Sequence, residues 1–165
     1  MKTPTFVAQR RVDTPLGALT LAATARGLAL VWFDAQRHRT ETVDAPVDER
    51  HPHLAQAERE LVEYFAGTRE RFEVALDPQG TPFQQRVWQS LLRIPKGRLS
   101  TYGAIARELG LPDASRAVGA AVGRNPIGII VPCHRVIGTN GSLTGFAGGL
   151  PRKEQLLRME GALLV

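Results

Sequence analysis

The sequence of 165 residues holds a single cysteine, which excludes an intramolecular disulfide and a Cys-rich zinc site. That usage fits a reducing cytoplasm. No run approaches the ~20 apolar residues of a membrane span. The start, MKTPTFVAQRR, lacks the apolar stretch of a secretory signal. There is no internal repeat and no low-complexity segment. Acidic residues are scarce in one half only. Residues 81–165 carry 4 Asp/Glu against 11 Lys/Arg, a net of +7, whereas residues 1–80 carry 12 against 10, a net of −2. At 43% hydrophobic and 22% charged residues the chain reads as a soluble globular protein. The positive half fits nucleic acid as a partner, and equally a basic surface with none.

What is present divides at DPQG (77–80), giving an N-terminal domain over 1–78 and a C-terminal one over 79–165. TFVAQRRV (5–12), ALTLAATA (18–25) and LALVWF (28–33) alternate with turn residues and predict a small antiparallel sheet. The polar stretch 34–52, with Arg37, His38 and Arg39, reads as a loop. HLAQAERELVEYFAG follows with Leu54, Leu61, Val62 and Phe65 at helical spacing and Gly67 as stop. FEVAL (72–76) reads as one more strand.

The second half opens with TPFQQRVWQSLLRI. Thr81 and Gln84 form a capping-box pattern, Pro82 takes the first helical position, and Phe83, Val87, Trp88, Leu91 and Leu92 make the apolar stripe. STYGAIARELG and ASRAVGAAVGRN predict two short helices joined by a tight turn, a helix-turn-helix pattern. In the latter, Ala114, Val118, Ala121 and Val122 share an inner face. The opposite face offers Arg116, Ala120 and Gly123, with Gly119 at its edge. Each helical glycine costs about 1 kcal/mol relative to alanine. Tight packing inside the protein would explain them, and so would close approach to a DNA minor groove with one long Arg projecting. IGIIV (127–131) reads as a buried strand, Asn140-Gly141 as a hairpin turn, and PRKEQLLRMEG as a closing helix with Glu154 in its first turn.

The cysteine lies in IIVPCHRVIG (129–138), behind Pro132 and before His134 and Arg135. A free thiol is only a few per cent thiolate at neutral pH, so a nucleophilic Cys133 needs a base and the base needs an orienting partner. In an extended strand Cys133 and His134 would point to opposite faces, so cooperation requires the chain to turn there or a water to bridge. A lone cysteine in a buried run also serves as a small hydrophobe. Both readings stand on these residues alone.

PCHRVIG, with NP before it and GFAGGLPRKEQLL after it, resembles the signature of the 6-O-alkylguanine-DNA alkyltransferases, the methylated-DNA–protein-cysteine methyltransferases. TPFQQRVW, IPKGRLSTYG and ASRAVGAAVGRNP extend the resemblance through the second half, and TPLGALTL and YFAG match loosely in the first. The resemblance implies an α+β chain: a small antiparallel-sheet domain, ribonuclease H-like, then a helical, winged-helix-like domain. It implies irreversible, single-turnover transfer of an alkyl group from O6-alkylguanine, and O4-alkylthymine, in double-stranded DNA. The protein would be a monomer that binds the minor groove and flips the base, with no cofactor and no metal.

Residue by residue, the resemblance implies Cys133 as acceptor, His134 as base through a water, and Glu154 as the group that orients His134. Asn125 would hold the turn between recognition helix and acceptor, and Tyr102 would donate its phenol proton to the leaving guanine. Arg116 would enter the base stack. Ala117, Gly119, Ala120 and Gly123 would face DNA, with Arg124 and Arg135 as weaker phosphate contacts. Phe146, Ala147, Val136 and Gly128 would line the alkylguanine pocket. Three other readings differ in chemistry. A non-catalytic relative that recruits other repair factors would lack the acceptor cysteine. A plain helix-turn-helix protein would show several long polar residues on ASRAVGAAVG. A cysteine hydrolase would need a cleft and turnover.

Two departures from the pattern bear on specificity. Phe146-Ala147 stands where relatives commonly carry Tyr-Ser or Tyr-Ala, and Gly128 stands where vertebrate members have a proline against bulky alkyl groups. Weak inactivation by benzylated free guanine is therefore expected. Potent inactivation, read as loss of methyl transfer after preincubation, would refute it.

Overall fold

The computed structural model describes residues 5–34 and 43–162, so Arg37, His38 and Arg39 of the expected loop lie outside the described residues. The chain divides into two compact units, Met1–Gln79 and Gly80–Val165.

In the first unit, β1 (Ala8–Thr14), β2 (Gly17–Ala23) and β3 (Leu28–Phe33) form an antiparallel meander in sequence order. The β1–β2 turn closes because Thr14 Oγ1 donates to Gly17 O at 2.7 Å and accepts from Leu16 N, with Gly17 at φ 125°. Helix α1 (Pro52–Phe65) lays Leu54, Ala57, Leu61 and Tyr64 on the core. Val62, expected inward, is 56% exposed, one step round the helix from that stripe.

Residues 72–76 are not a strand. They meet the sheet at one bridge, Leu28–Leu76, because Glu60 removes the donors a ladder would use. Its buried carboxylate accepts from Glu73 N at 2.9 Å and Val74 N at 3.1 Å. The approach requires Gly27, whose Cβ would stand 2.7 Å from Ala75 O.

In the second unit, α2 (Pro82–Leu91) starts at Thr81 with both bonds of the capping box in place. Trp88 is buried and its Nε1 donates to Ala121 O at 2.9 Å, tying α2 to α4; Leu92 is exposed. Helices α3 (Tyr102–Glu108) and α4 (Ser115–Gly123) pack against each other as the helix-turn-helix pattern requires. A two-residue strand β4 (Ser100–Thr101) pairs in parallel with β5 (Val136–Ile137), and α5 (Leu150–Met159) closes the unit. Asn140-Gly141 makes a turn, with Gly138 N donating to Ser142 O, but no hairpin strands flank it, because β5 pairs with β4.

Ile127, Ile129, Ile130 and Val131 are buried, yet residues 127–131 form turns rather than a strand. Their polar groups are satisfied locally. Asn125 Nδ2 donates to Val131 O at 2.8 Å and Ile127 O at 3.3 Å, and Asn125 Oδ1 accepts from Ile127 N at 3.0 Å. The loop this side chain closes holds Ile129 at φ 70°, a conformation β-branched residues rarely adopt.

Candidate active site

Behind Pro132 the chain turns as the cysteine–histidine pair requires: Cys133–Arg135 is a single 3-10 turn. Cys133 is buried at 7% exposure, and burial pushes its thiol pKa up, opposed by the Asn125 side chain and then by the charge of Lys153. His134 is wholly buried, and its Nε2 lies 2.8 Å from Glu160 Oε2. Arg135, also buried, donates from Nε to Glu160 Oε1 and from Nη2 to Oε2, each at 2.9 Å, and from Nη1 to Ile94 O at 2.7 Å.

This geometry fixes the protonation pattern. Burial alone would raise the Glu160 pKa, but hydrogen bonds and charge from His134 and Arg135 outweigh it and hold the carboxyl at about 2. Arg135 is always charged, so Glu160 stays ionised whatever His134 does. A carboxylate only accepts, so the proton of a neutral His134 sits on Nε2 and Nδ1 keeps its lone pair. Burial lowers the His134 pKa against the pull of Glu160, so the ring is neutral at neutral pH. Nδ1 is buried with no hydrogen-bond partner among the described residues. A base with a free lone pair therefore follows the only cysteine by one residue.

Around this turn stand two more polar side chains. Tyr102 OH donates to Thr144 O at 3.0 Å, and burial raises its pKa, so the phenol keeps its proton. Lys153 is wholly buried, and its Nζ donates to Val136 O at 2.5 Å and Thr144 O at 2.7 Å. On α4, Arg116, Ala117 and Ala120 are exposed, as is Arg124 just past its end, and Arg116 makes no salt bridge among the described residues. A Cβ at Gly123 would meet nothing within 4 Å, and one at Gly119 only the Tyr102 ring at 3.7 Å. Packing inside the protein therefore does not explain the two glycines.

Residues 82–162 match the DNA-binding domain of 6-O-methylguanine DNA methyltransferase, and residues 8–78 match its ribonuclease-like domain. The chain belongs to this methyltransferase family. The methylated-DNA–protein-cysteine methyltransferase of Methanosarcina acetivorans is 50% identical over 150 residues, covering 91% of this chain and 96% of that protein. That of Salmonella typhimurium is 44% identical over 169 residues, covering 95% and 97%. Among solved structures, Mycobacterium tuberculosis OGT in complex with DNA superposes with a TM-score of 0.87 at 47% identity, covering 94% of each chain.

Two expected roles are corrected by the geometry. Glu154 does not reach His134; it lies half-exposed and pairs with Arg158 at 2.6 Å, one turn along α5. The inward stripe of α5 is Lys153, Leu156 and Leu157, with Glu160 continuing it just past the last turn. Glu154 sits about 100° round from Lys153. Arg135 is buried against Glu160 and is not placed to meet a phosphate. Glu160 and Lys153 were missed, although the Leu156-Leu157 pair marks the buried face and both lie three or four residues from it. Val136 is wholly buried, while Phe146, Ala147 and Gly128 are half-buried, Phe146 and Ala147 on the loop that Thr144 ties to Lys153 and Tyr102.

The depressed Glu160 pKa sets a pH dependence. Its folded value of about 2 lies below the ordinary 4.5, so the contribution is complete above 4.5 and is lost as pH falls through about 2. Its size is about 3 kcal/mol. Urea unfolding on acidification should therefore fall more steeply in that window for wild type than for Glu160→Gln, which starts less stable at neutral pH. Equal slopes would contradict the assignment.

Proposed function

We propose that this chain repairs alkylated DNA by moving an alkyl group from guanine O6 onto Cys133, once per molecule. The observation that carries the reading is the 3-10 turn that sets the only cysteine beside a neutral histidine whose other nitrogen is bound to a buried carboxylate. His134 Nδ1 takes the thiol proton through a bridging water. The sulfur then forms a bond to the alkyl carbon as the carbon–O6 bond breaks, its electron pair passing to the guanine. Tyr102 supplies a proton to that base, which neutralises the leaving group. The product is a thioether, and no group in the chain can reverse it.

The reading of α4 as a minor-groove element rests on its exposed face. Arg116 projects from a surface of Ala117, Ala120 and Gly123, and neither Gly119 nor Gly123 is required by close packing inside the protein. A bare helix can approach a groove closely, and one long cation can fill the space of an extruded base. The net of +7 over residues 81–165 supports a polyanionic partner, and a relative's structure was determined with DNA bound. Double-stranded DNA carrying the lesion is the partner proposed, bound by a monomer.

Intact mass after incubation with a duplex containing one O6-methylguanine tests the reaction. Wild type should gain one methylene per chain and saturate there, and Cys133→Ser should gain none. Glu160→Gln should transfer about a hundredfold more slowly, the low end of a general base's contribution. Glu154→Gln should match wild type. Tight lesion binding without mass gain on wild type would instead favour the recruiting protein. A second measurement addresses α4: Gly123→Ala should gain up to about 1 kcal/mol of stability and bind duplex DNA more weakly. Unchanged affinity would remove α4 from the interface.

A further inference from the structure

Lys153 heads the wholly buried side chains by size, and neither the acceptor chemistry nor the DNA contacts proposed above use it. Its two bonds join separate pieces of the site. Val136 directly follows the acceptor turn, and Thr144 belongs to the loop that carries Phe146 and Ala147. Thr144 O also accepts from Tyr102, and a Cβ on Gly145 would stand 3.2 Å from that hydroxyl. Once Tyr102 turns its hydroxyl toward a leaving base, Lys153 is the bond that remains on Thr144 O.

The charge of Lys153 has no carboxylate partner among the described residues; its Nζ donates to backbone carbonyls, whereas Glu160 is bonded to His134 and Arg135. The groups around it leave it isolated. On the acceptor turn His134 is neutral and Arg135 is cancelled by Glu160, and on α3 Tyr102 keeps its proton. Burial lowers the Lys153 pKa to about 8, and the opposing influence comes from Cys133. The influence is mutual, since Lys153 favours the ionised form of Cys133. An ammonium in a low-dielectric interior is costly without a counter-ion. A thiolate at Cys133 is the counter-ion this site can form.

We propose that Lys153 is a positioning residue that clamps the 138–149 loop to the acceptor turn and supplies the buried positive charge against which the Cys133 thiolate forms. The inference rests on Cys133 being the acceptor. Lys153 keeps its own proton throughout; the thiol proton leaves by way of His134.

The single cysteine lets thiolate formation be read without DNA, from the rate of Cys133 alkylation by iodoacetamide as pH rises. Lys153→Met keeps the unbranched stem and removes the charge. At pH 7, below the titration of Lys153 near 8, it should lower the alkylation rate about tenfold, because about tenfold less thiolate is present. The ratio of the rates at pH 7 and at pH 10, where Lys153 is neutral in wild type, separates ionisation from any change in access to the sulfur. An unchanged ratio in a variant folded by circular dichroism overturns the proposal.

If Lys153→Met does not fold, the coupling is read in the other direction. The chain has three lysines, Lys2, Lys96 and Lys153, so their ε-carbon resonances can be followed by NMR in wild type and in Cys133→Asp, which carries a carboxylate where the thiolate would form. Lys153 should titrate near 8 in wild type and higher in Cys133→Asp. Titration at the ordinary value in wild type, or the same midpoint in both proteins, overturns the proposal. Methyl transfer from the lesion duplex is scored separately. A wild type that takes no methyl sinks the acceptor reading, whereas a transferring wild type with an unchanged rate ratio or an unmoved Lys153 midpoint sinks only the role of Lys153.

Discussion

The carboxylate of Glu160 is the point on which the second unit depends. It is wholly buried, and its two oxygens receive bonds from His134 and two from Arg135. A buried charge survives only when its bonding capacity is filled, and removing one partner of such a group costs about 3–5 kcal/mol. Here each partner serves a second purpose. Arg135 carries the connection on to Ile94 O, just past α2, so the end of α5, the acceptor turn and the α2 terminus meet at one group. His134 is held with its proton on the carboxylate side and its lone pair free. The same interaction thus holds three elements together and leaves the Nδ1 lone pair of His134 free.

Elsewhere in the chain, side chains stand in for missing strands. Asn125 bonds the N–H and C=O of Ile127 and the C=O of Val131, and Glu60 accepts from the N–H groups of residues 73 and 74. Both places read as strands, residues 127–131 as an apolar, β-branched run and residues 72–76 as a mixed one around Val74. In both, one polar side chain supplies the partners that a neighbouring strand would have supplied. Periodicity reports burial, which is correct at Ile127, Ile129, Ile130 and Val131. It cannot report which group answers a backbone N–H.

The same division explains what was legible in the site. Local chemistry was readable: the Thr81–Gln84 box, the bare face of α4 and the need for a turn at Pro132 all depend on residues close in sequence. The orienting carboxylate was not, because it lies 26 residues from His134 and its identity turns on the rotation of α5. Glu154 and Glu160 are both acids near the ends of one helix. Only the stripe through Leu156 and Leu157 separates the surface ion pair from the buried one. Arg135 misled for a related reason. An arginine beside a catalytic motif in a basic domain reads as a phosphate contact, until burial shows it neutralising a carboxylate.

The resting charges suit a protein that reacts once. Burial raises the Cys133 thiol, lowers His134 and lowers Lys153, so each group is pushed toward its neutral form, while Arg135 and Glu160 cancel. An exposed, low-pKa cysteine would be consumed by any passing electrophile or oxidant, and a consumed acceptor is a lost molecule. A buried thiol with a raised pKa avoids that loss but is a poor nucleophile by itself. In the reaction proposed it becomes one when a base with a free lone pair accepts its proton, and His134 Nδ1 is buried together with it. The burial that protects the sulfur also strengthens every electrostatic interaction available to the thiolate once it forms. Protection and reactivity are thus set by the same enclosure, and what separates them is the arrival of a substrate able to occupy it.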